Sequence, residues 1–518
     1  MTSTTQVLIA LSSIVVAYFV KTALAKRKLN PRGLPYPPGP KGLPVIGNLT
    51  QLPQHKPWLV YKEWGRTYGD LMYLEAMGQP MIIINSLSRA LDLLDKRAVN
   101  YSDRPHVPTM DLCVLMKLDW VFAFMQYGAD WRNHRRAFHQ YLNHNMVHNY
   151  HPIQEQETQE FLRALIARPK DFLAHTRHLF GSIIIRISYG FEDEEYNKVL
   201  VEEAEALASG FSESIIPGRY LVNAFPFLRH VPSWLPGAGF QRTMQYLRKI
   251  SEKTLSEPFD NVKEALKTGN RQVGPSLAVG LIESLPDETH ANRTSLEVVA
   301  RNTSALSYIA GADTTVSSAQ ALILALAMHP EVQRKAQKEI DSVVGTDRLP
   351  NMSDKPNMPY VQAIVKEAGR WHTVLPLGFI HVSAKEDEYD GYFIPKGSFI
   401  FVNTWAIMHD PDVFKNPLQF NPERYLKNGQ IDTSVLDPEA ATFGFGRRIC
   451  PGRWLSNDSL FLMAASLLAT FNIAAPKDRT GKPIPLSLDT SSHLITAPLP
   501  YDCEFQLRSP KYAALLQK

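Results

Sequence analysis

The decapeptide FGFGRRICPG, residues 443–452, has the residue types best suited to hold a metal ion. Cys450 is one of only three cysteines among 518 residues, and it lies between glycines, arginines and a proline. Glycine permits a tight turn that brings backbone N–H groups close to the sulfur. These donors and the dipole of a following helix favour thiolate over thiol. Arg448 is placed to meet a carboxylate beside the metal. The pattern predicts a metal-bound thiolate rather than a packing cysteine in a glycine-rich turn.

The two remaining cysteines argue against other uses of Cys450. Cys113 and Cys503 are far from it and from each other, and no C-x-x-C pair occurs. A disulfide scaffold is therefore not expected, and the working part of the chain is expected to face a reducing compartment. A structural zinc ion at Cys450 would lack partner cysteines and nearby paired histidines. The net charge of +4 is too small to indicate a nucleic-acid partner.

An acid and a hydroxyl stand together inside a long apolar pattern. Residues 310–315 read AGADTT, with Asp313 and Thr314 in tandem. The surrounding pattern predicts a helix from a capping box at Thr294–Glu297 to Met328. Glycine costs about 1 kcal/mol relative to alanine in a helix, so AGADTT is predicted to interrupt it. The alternative is a threonine that bonds back to the carbonyl one turn earlier.

Two further spacings place chemical groups on one helical face. Glu367 and Arg370 form E-x-x-R, three residues apart, and Trp131 and Arg135 are four apart. As a surface pair, Glu367 and Arg370 would contribute under about 1 kcal/mol. The neighbouring Arg132 and Arg136 are solvated charge or a basic docking face for an acidic electron donor.

The elements that would position these groups are mostly helices. Long helical patterns dominate residues 131–372, and a last amphipathic helix covers 453–471, followed by a strand-like end. The helices after the long one are expected over 330–344 and 359–372. Two strands around Gly78 are predicted for 70–85. Strands are also predicted for 379–403, with hairpin turns at 390–391 and 396–397.

The N-terminus has the composition of a membrane anchor. Residues 6–25 are apolar except for Lys21, and twenty helical residues span about 30 Å, one hydrocarbon core. The basic run 26–28 places the following body in the cytosol. A cleaved signal peptide is the alternative, but the first residues contain no Lys or Arg. The chain is thus divided into an anchor (1–25), a basic and proline-rich hinge (26–50) and a globular domain (51–518).

The decapeptide resembles the haem-binding signature of the cytochrome P-450 superfamily without a mismatch. Phe443, Gly446, Arg448, Cys450 and Gly452 fit F-x-x-G-x-R-x-C-x-G. The resemblance extends over nearly the whole chain, from the anchor to the last helix. It implies a mainly α fold with a small β part, a single catalytic domain behind a transmembrane anchor. It also implies haem b (iron protoporphyrin IX), with Cys450 as the axial thiolate of the iron.

The resemblance assigns roles to the other residues as well. Glu367 and Arg370 are implied to join Arg424, in NPERY, in a cluster that locks the chain under the cysteine loop. Thr314 is implied to hydrogen-bond the bound dioxygen or its water, and Asp313 to take part in proton supply.

The haem-binding set is also implied by the resemblance. Trp131 and Arg135 are implied to contact the haem propionates. His381, in GFIHVS, stands where many members have Arg or His for a propionate, although the common Arg after it is Val382 here. A core or surface histidine is the alternative for His381. The implied set also contains the signature residues Phe443, Gly446, Arg448 and Gly452.

The activity implied is monooxygenation, in which one oxygen atom of O₂ enters an apolar substrate and the other leaves as water. Electrons would come from NADPH through NADPH–cytochrome P-450 reductase, with cytochrome b5 as a second donor, because the chain has no G-x-G-x-x-G fingerprint. The overall sequence is similar to that of fungal secondary-metabolism members, the O-methylsterigmatocystin oxidoreductase group. Xenobiotic oxidation is the alternative physiological role. An isomerase or peroxide-rearranging enzyme of the same fold and a non-catalytic haem protein remain alternatives.

The expected location is the endoplasmic reticulum membrane, with a single span and a cytosolic catalytic domain. A Pro-broken loop within residues 223–240 contains three phenylalanines and Trp234. It is either packed inside or partly inserted in the bilayer. A channel mouth that faces lipid would favour apolar substrates.

Overall fold

The computed structural model describes residues 29–106, 116–214, 219–223, 225–235, 237–269 and 273–517. The predicted anchor and Cys113 lie outside these ranges. Helices make up most of the described chain, in agreement with the expected fold class. Their bounds are α1 Pro57–Tyr68, α2 Leu87–Leu91, α3 Ala129–Tyr141, α4 His151–Ala167, α5 Phe172–Tyr189, α6 Glu194–Ser214, α7 Gly239–Thr268, α8 Leu277–Glu283, α9 Arg293–Met328, α10 Pro330–Val343, α11 Pro359–Trp371, α12 Thr404–Met408, α13 Glu439–Thr442, α14 Arg453–Thr470 and α15 Pro510–Leu516.

Helix α9 forms the axis of the molecule. Its 36 residues extend for about 54 Å and pack against α3, α5, α6 and α14. In the described part of the chain, it is the helix long and apolar enough to span a membrane, but most of its apolar window is buried inside the protein. It is therefore the core helix that carries Asp313 and Thr314.

Two predictions about α9 are wrong. No capping box forms, because the helix begins at Arg293 and Glu297 pairs with Lys263 instead. AGADTT does not interrupt the helix, which is continuous to Met328. Gly311 serves close packing: a Cβ there would come within 2.7 Å of Ile184 on α5.

Among the described residues, the β part contains one four-stranded sheet in the order β1-β2-β6-β3 and three two-stranded pairs. The hairpin of β1 and β2 around Gly78 is confirmed, as is the β4–β5 hairpin at 390–391. The turn at 396–397 is present but joins no hairpin, because β6 pairs with β2 and β3 rather than β5. The strands are β1 Leu71–Ala76, β2 Gln79–Ile84, β3 His381–Val382, β4 Asp387–Tyr389, β5 Tyr392–Ile394, β6 Phe399–Val402, β7 Leu426–Lys427, β8 Gln430–Ile431, β9 Phe471–Ala474 and β10 Glu504–Leu507.

Much of the predicted hinge lies against the globular body. The carbonyl of Pro38 accepts from the Tyr73 N–H at 3.0 Å, and that of Pro35 accepts from the Phe393 N–H at 2.8 Å. At Gly39, a Cβ would come 2.0 Å from the Tyr73 carbonyl oxygen. From about residue 35 onward, this segment is therefore part of the domain rather than a free spacer.

Candidate active site

The loop that presents Cys450 is fixed by backbone hydrogen bonds and by glycine. The Cys450 N–H donates to the Phe443 carbonyl at 2.8 Å. Gly446 has φ +52°, and a Cβ there would come 2.1 Å from the Leu94 carbonyl oxygen, so only glycine fits. Helix α14 begins at Arg453, whose guanidinium donates to the Cys450 carbonyl at 3.0 Å. The loop thus delivers the thiol at the start of a helix, as the sequence predicts.

The electrostatics of the thiol differ from the expectation. Burial raises the pKa of the Cys450 thiol above its ordinary value. The Gly452 N–H and the charges of Arg135 and Arg453 lower the pKa, but they do not outweigh burial. Protein donors alone therefore do not make the thiolate prevail. A metal cation on the sulfur would supply the missing charge, because coordination deprotonates a thiol.

A cavity of about 560 Å³ extends from the Cys450 loop to the central helix. Asp313 and Thr314 line it from α9, and Trp131 and Arg135 line it from α3. The rest of the wall is mainly aliphatic and aromatic side chains from α5, α6 and the loops before β3. An apolar cavity with a few convergent polar groups is the usual form of a small-molecule site.

Asp313 and Thr314 both line this cavity, but the surroundings and hydrogen bonds of their side chains differ. Burial raises the pKa of the Asp313 carboxyl, against the lowering effect of Arg177. The Asp313 carboxyl group makes no hydrogen bond to any residue that the structure describes. The Thr314 hydroxyl donates to the Ala310 carbonyl at 3.0 Å, which is the back-bond foreseen as the alternative. The hydroxyl oxygen can still accept a hydrogen bond from the cavity.

Two arginines, Arg448 buried and Arg135 half-buried, lie at the Cys450 end of the cavity. Arg448 stacks over the Trp131 ring at 4.5 Å and donates to the carbonyls of Ser102 at 2.8 Å and Met125 at 2.6 Å. Burial lowers the pKa of Arg448 to about 10 and also lowers that of Arg135. Neither arginine forms an ion pair within the described ranges.

Unpaired buried cations are costly, so these arginines call for anionic partners. Haem presents two carboxylates and an iron that binds thiolate. The free cysteine, the adjacent cavity and the unpaired arginines all suit such a group. The residues present therefore fit haem, with Cys450 for the iron and Arg135 and Arg448 for the carboxylates.

His381 also lines the cavity and is buried. Its Nδ1 lies 2.7 Å from the Tyr101 carbonyl, which fixes Nδ1–H as a donor. Burial, reinforced by the nearby Arg104 charge, lowers the pKa of His381 well below its ordinary value. In the neutral ring Nε2 is then an acceptor, and it would have to gain a proton to donate to a propionate.

Sequence reasoning missed Arg104. This side chain is buried, lines the cavity and donates to the carbonyls of Ala123 at 3.1 Å, Phe379 at 3.2 Å and Ile380 at 2.8 Å. Its pKa is lowered by burial and by the neighbouring charge of Arg448. The only sequence signal was a charged residue directly before Pro105, where the backbone is extended.

The structure brings together the predicted cluster behind the cysteine loop. Glu367 and Arg370 are both fully buried, and they are joined by two hydrogen bonds of 2.7 and 2.8 Å. Arg424 Nε donates to the same carboxylate at 3.0 Å. Arg370 also donates to the carbonyls of Met408 and Pro417. The pair is thus not a surface salt bridge: it ties α11 to the irregular chain that leads to Cys450.

Two surfaces named in the sequence are exposed. Arg132 and Arg136 lie on the outer face of α3, and the Arg132 guanidinium is over the Tyr127 ring. In the Pro-broken loop, Phe227 is 67% exposed and Trp234 is 78% exposed. These two rings therefore lie outside the core, whereas other side chains of the loop, such as Leu228, pack against it.

Comparison with known proteins identifies a matching family model and several similar sequences. The family model for "Cytochrome P450" matches residues 37–505. The chain is 43% identical to cytochrome P450 monooxygenase COX2 of Coprinopsis cinerea, over 94% of this chain and 91% of the relative. It is 38% identical to cytochrome P450 monooxygenase claR of Ampulloclitocybe clavipes, over 93% and 88%. It is 35% identical to tryptamine 4-monooxygenase of Psilocybe cyanescens, over 97% and 98%.

Proposed function

Because the chain belongs to the cytochrome P450 family and is a haem-thiolate monooxygenase of fungal secondary metabolism, we propose where its electrons come from and which class of substrate it oxidises. Electrons come from NADPH through a separate flavoprotein reductase. The substrate is an apolar small molecule, and one oxygen atom of O₂ is inserted into it. The observation that carries this proposal is that Cys450, Asp313 and Thr314 line the same apolar cavity.

Haem, when bound through the Cys450 thiolate, supplies the chemistry that activates O₂. The chain's own contribution begins with binding. Arg135 and Arg448 neutralise the carboxylates of the cofactor, and the Trp131 ring packs against the Arg448 guanidinium on the cavity wall. The apolar wall excludes water around the substrate, which limits unproductive release of reduced oxygen.

Asp313 and Thr314 handle protons. The raised pKa of Asp313 means that its carboxyl holds a proton closer to neutral pH than an exposed aspartate does. The Thr314 hydroxyl, one residue along α9, can accept from the cavity and pass a proton by rotation. Both groups line the cavity in which O₂ and substrate must meet. Their adjacent positions on α9 therefore favour a proton relay from one side chain to the other.

The exposed surface supports the parts of this proposal that concern electron delivery and location. The exposed basic face of α3, with Arg132 and Arg136, suits an acidic reductase or cytochrome b5. The apolar N-terminal segment, outside the described residues, would anchor the chain in the endoplasmic reticulum membrane with the catalytic domain in the cytosol. The exposed Phe227 and Trp234 would then contact lipid.

Reconstitution with a fungal P450 reductase tests this proposal. We expect NADPH- and O₂-dependent oxidation of apolar compounds that are made by the enzymes of neighbouring genes in the host. The product should contain one oxygen atom from labelled O₂. Turnover that needs neither NADPH nor O₂ would instead support the isomerase alternative. Haem binding without any turnover across a broad panel would favour a ligand-carrying protein.

A further inference from the structure

The cavity that contains Cys450 has a polar end in addition to its apolar wall. The lining there includes Lys355, Lys366 and Asn457, together with Asp437 and Glu439. These side chains come from α11, from α14, from the turn before α11 and from the segment that leads to the cysteine loop. Charged and amide groups thus border the cavity on the same elements that carry the cysteine.

A second pocket, of about 510 Å³, shares three of these residues. Lys355, Glu439 and Asn457 line both spaces. The second pocket is also lined by His144, His148, His151, Trp454 and Asp458. His144 and His148 are exposed, so this pocket opens to solvent. The three shared side chains, which we call the polar passage, therefore lie between solvent and the Cys450 cavity.

Hydrogen bonds hold the side chains of the polar passage. The Asn457 amide donates to the Glu439 carboxylate at 2.6 Å. The Lys355 ammonium pairs with one oxygen of Asp458 at 2.6 Å, and the other oxygen lies 3.2 Å from His151 Nε2. Asp458 thus has a cationic partner, whereas Glu439 is held by a neutral amide.

Glu439 is linked electrostatically to the cysteine loop. The Arg453 guanidinium donates to the Cys450 carbonyl, and its charge lowers the pKa of both the Cys450 thiol and the Glu439 carboxyl. Burial, followed by the charge of Asp437, raises the Glu439 pKa and outweighs the opposing cations, so the pKa lies above its ordinary value. The charged and titratable groups around Glu439 are Asp437, Lys366, Arg453 and Lys355, with His144, His148, His151 and Asp458 in the adjoining pocket.

We propose that Glu439 takes up a proton from solvent, through the polar passage, when the enzyme accepts an electron. The inference rests on the proposed function, because it takes Cys450 as the ligand of a redox-active haem iron. In this step a donor gives one electron, iron(III) becomes iron(II), and one proton from water binds to the Glu439 carboxylate. The net charge of the site is then unchanged, which avoids the cost of adding a negative charge in a poorly solvated space.

Coupled proton uptake makes the midpoint potential depend on pH. Below its pKa, Glu439 is neutral in both oxidation states, and far above its pKa it is charged in both. Between these limits reduction binds a proton, so the potential falls as the pH rises. Because the Glu439 pKa is raised, this sloped range lies above the usual titration range of a glutamate.

The test is a spectroelectrochemical titration of the haem-loaded protein from about pH 5 to about pH 9. We expect a sloped range in the wild type and loss of most of that slope in Glu439→Gln. Glu423→Gln is the matched control, because it removes one exposed carboxylate that pairs with Lys335, and it should keep the wild-type slope. An unchanged slope in Glu439→Gln would overturn the inference. Loss of the slope in His148→Gln would also overturn it, since an imidazole would then be the proton acceptor.

If Glu439→Gln does not take up haem, Asn457→Leu decides the question. The Asn457 N–H favours the charged carboxylate, so its removal should raise the Glu439 pKa and move the sloped range to higher pH. A range that does not move would contradict the inference.

The titration uses chemical mediators, so it needs neither reductase nor substrate. A slope that depends on Glu439 supports the inference even if NADPH-dependent turnover fails, and that failure would count against the proposed function alone. A wild-type protein without a red-shifted reduced CO band would remove both.

Discussion

At the scale of residues, the two cysteines that the structure describes, Cys450 and Cys503, have different surroundings. Cys503 is buried at the C-terminal end, where burial and the nearby Asp502 raise its pKa to about 12, so it is an inert packing group. Cys450 is also disfavoured as a thiolate by burial, but a backbone N–H and two arginines oppose the rise in pKa. Of the two cysteines within the described ranges, Cys450 is the one with the counter-charges and the cavity that a bound metal requires.

We expect Cys450→Ser to abolish the red-shifted Soret band of the reduced CO complex, because serine does not donate electron density as a thiolate does. The spectrum of the reduced, CO-treated protein measures this. Cys503→Ser is the matched control and should keep the band. A Cys450 variant with an intact band would show that another residue ligates the iron.

Thr314→Ala tests the proton relay. Positioned general acids contribute about 10²–10⁴-fold, so product formation should fall by that order. NADPH consumption should fall much less, and hydrogen peroxide should account for the difference. NADPH, peroxide and product are to be measured in one assay.

Thr315→Ala is the control for this experiment, because its hydroxyl lies 3.2 Å from that of Ser456, and the contact links α9 to α14. Thr314→Ser should restore most of the coupling between NADPH and product. Wild-type coupling in Thr314→Ala would mean that the hydroxyl only makes its back-bond to Ala310.

At the scale of elements, the site depends on ties between helices and irregular chain. Helix α11 supplies Glu367 and Arg370, and the turn after Asn421 supplies Arg424. The Asn421 N–H also donates to Glu367, at 2.8 Å. One buried carboxylate thus satisfies donors from two elements, which fixes the approach of the chain to the cysteine loop.

Glu367→Ala should leave Arg370 buried without its partner, and breaking a buried pair in this way costs roughly 3–5 kcal/mol. We expect little haem-loaded protein, as measured by the ratio of Soret to protein absorbance and by thermal unfolding. Glu423→Ala is the matched control, because Glu423 pairs with Lys335 on the surface and should change stability by under about 1 kcal/mol. Normal haem content in Glu367→Ala would contradict a structural role for the cluster.

At the scale of the whole molecule, the apolar loop and the N-terminal segment bear on membrane attachment. Large apolar side chains on a surface loop usually mark an interaction site. The chain from residue 35 onward packs on the β1–β2 region, so an anchor that precedes it would hold the body close to the bilayer.

Deletion of residues 1–29 should release most of the protein from microsomes but leave part of it bound. Adding Phe227→Ser and Trp234→Ser should release the remainder, since both side chains are exposed and their loss should not unfold the protein. Leu418→Ser, at a position 71% exposed, is the control and should not change binding. Sedimentation with vesicles measures each variant. Complete release on deletion alone would show that the loop does not contact lipid.

Local sequence patterns were sufficient to predict the helices and hairpins whose formation depends on neighbouring residues. The 3.6-residue periodicity and terminal prolines predicted α9, α10 and α11 to within a residue or two. The signature around Cys450 predicted the loop, because its glycines meet backbone constraints that depend on near neighbours. Gly446 shows both scales, since its positive φ is a local constraint, whereas its close approach to the Leu94 carbonyl is a tertiary contact that the local pattern does not contain.

Only the tertiary structure decided how burial changes these groups. Arg104 carries no recognisable spacing, and two of the three carbonyls to which it donates are more than 270 residues away along the chain. E-x-x-R reads the same on a surface as in a core, and only packing shows that Glu367 is fully buried. AGADTT was predicted to interrupt the helix because glycine is a poor helix former, but close packing against Ile184 outweighs that preference. Desolvation and long-range packing depend on the whole fold, so no local pattern contains them.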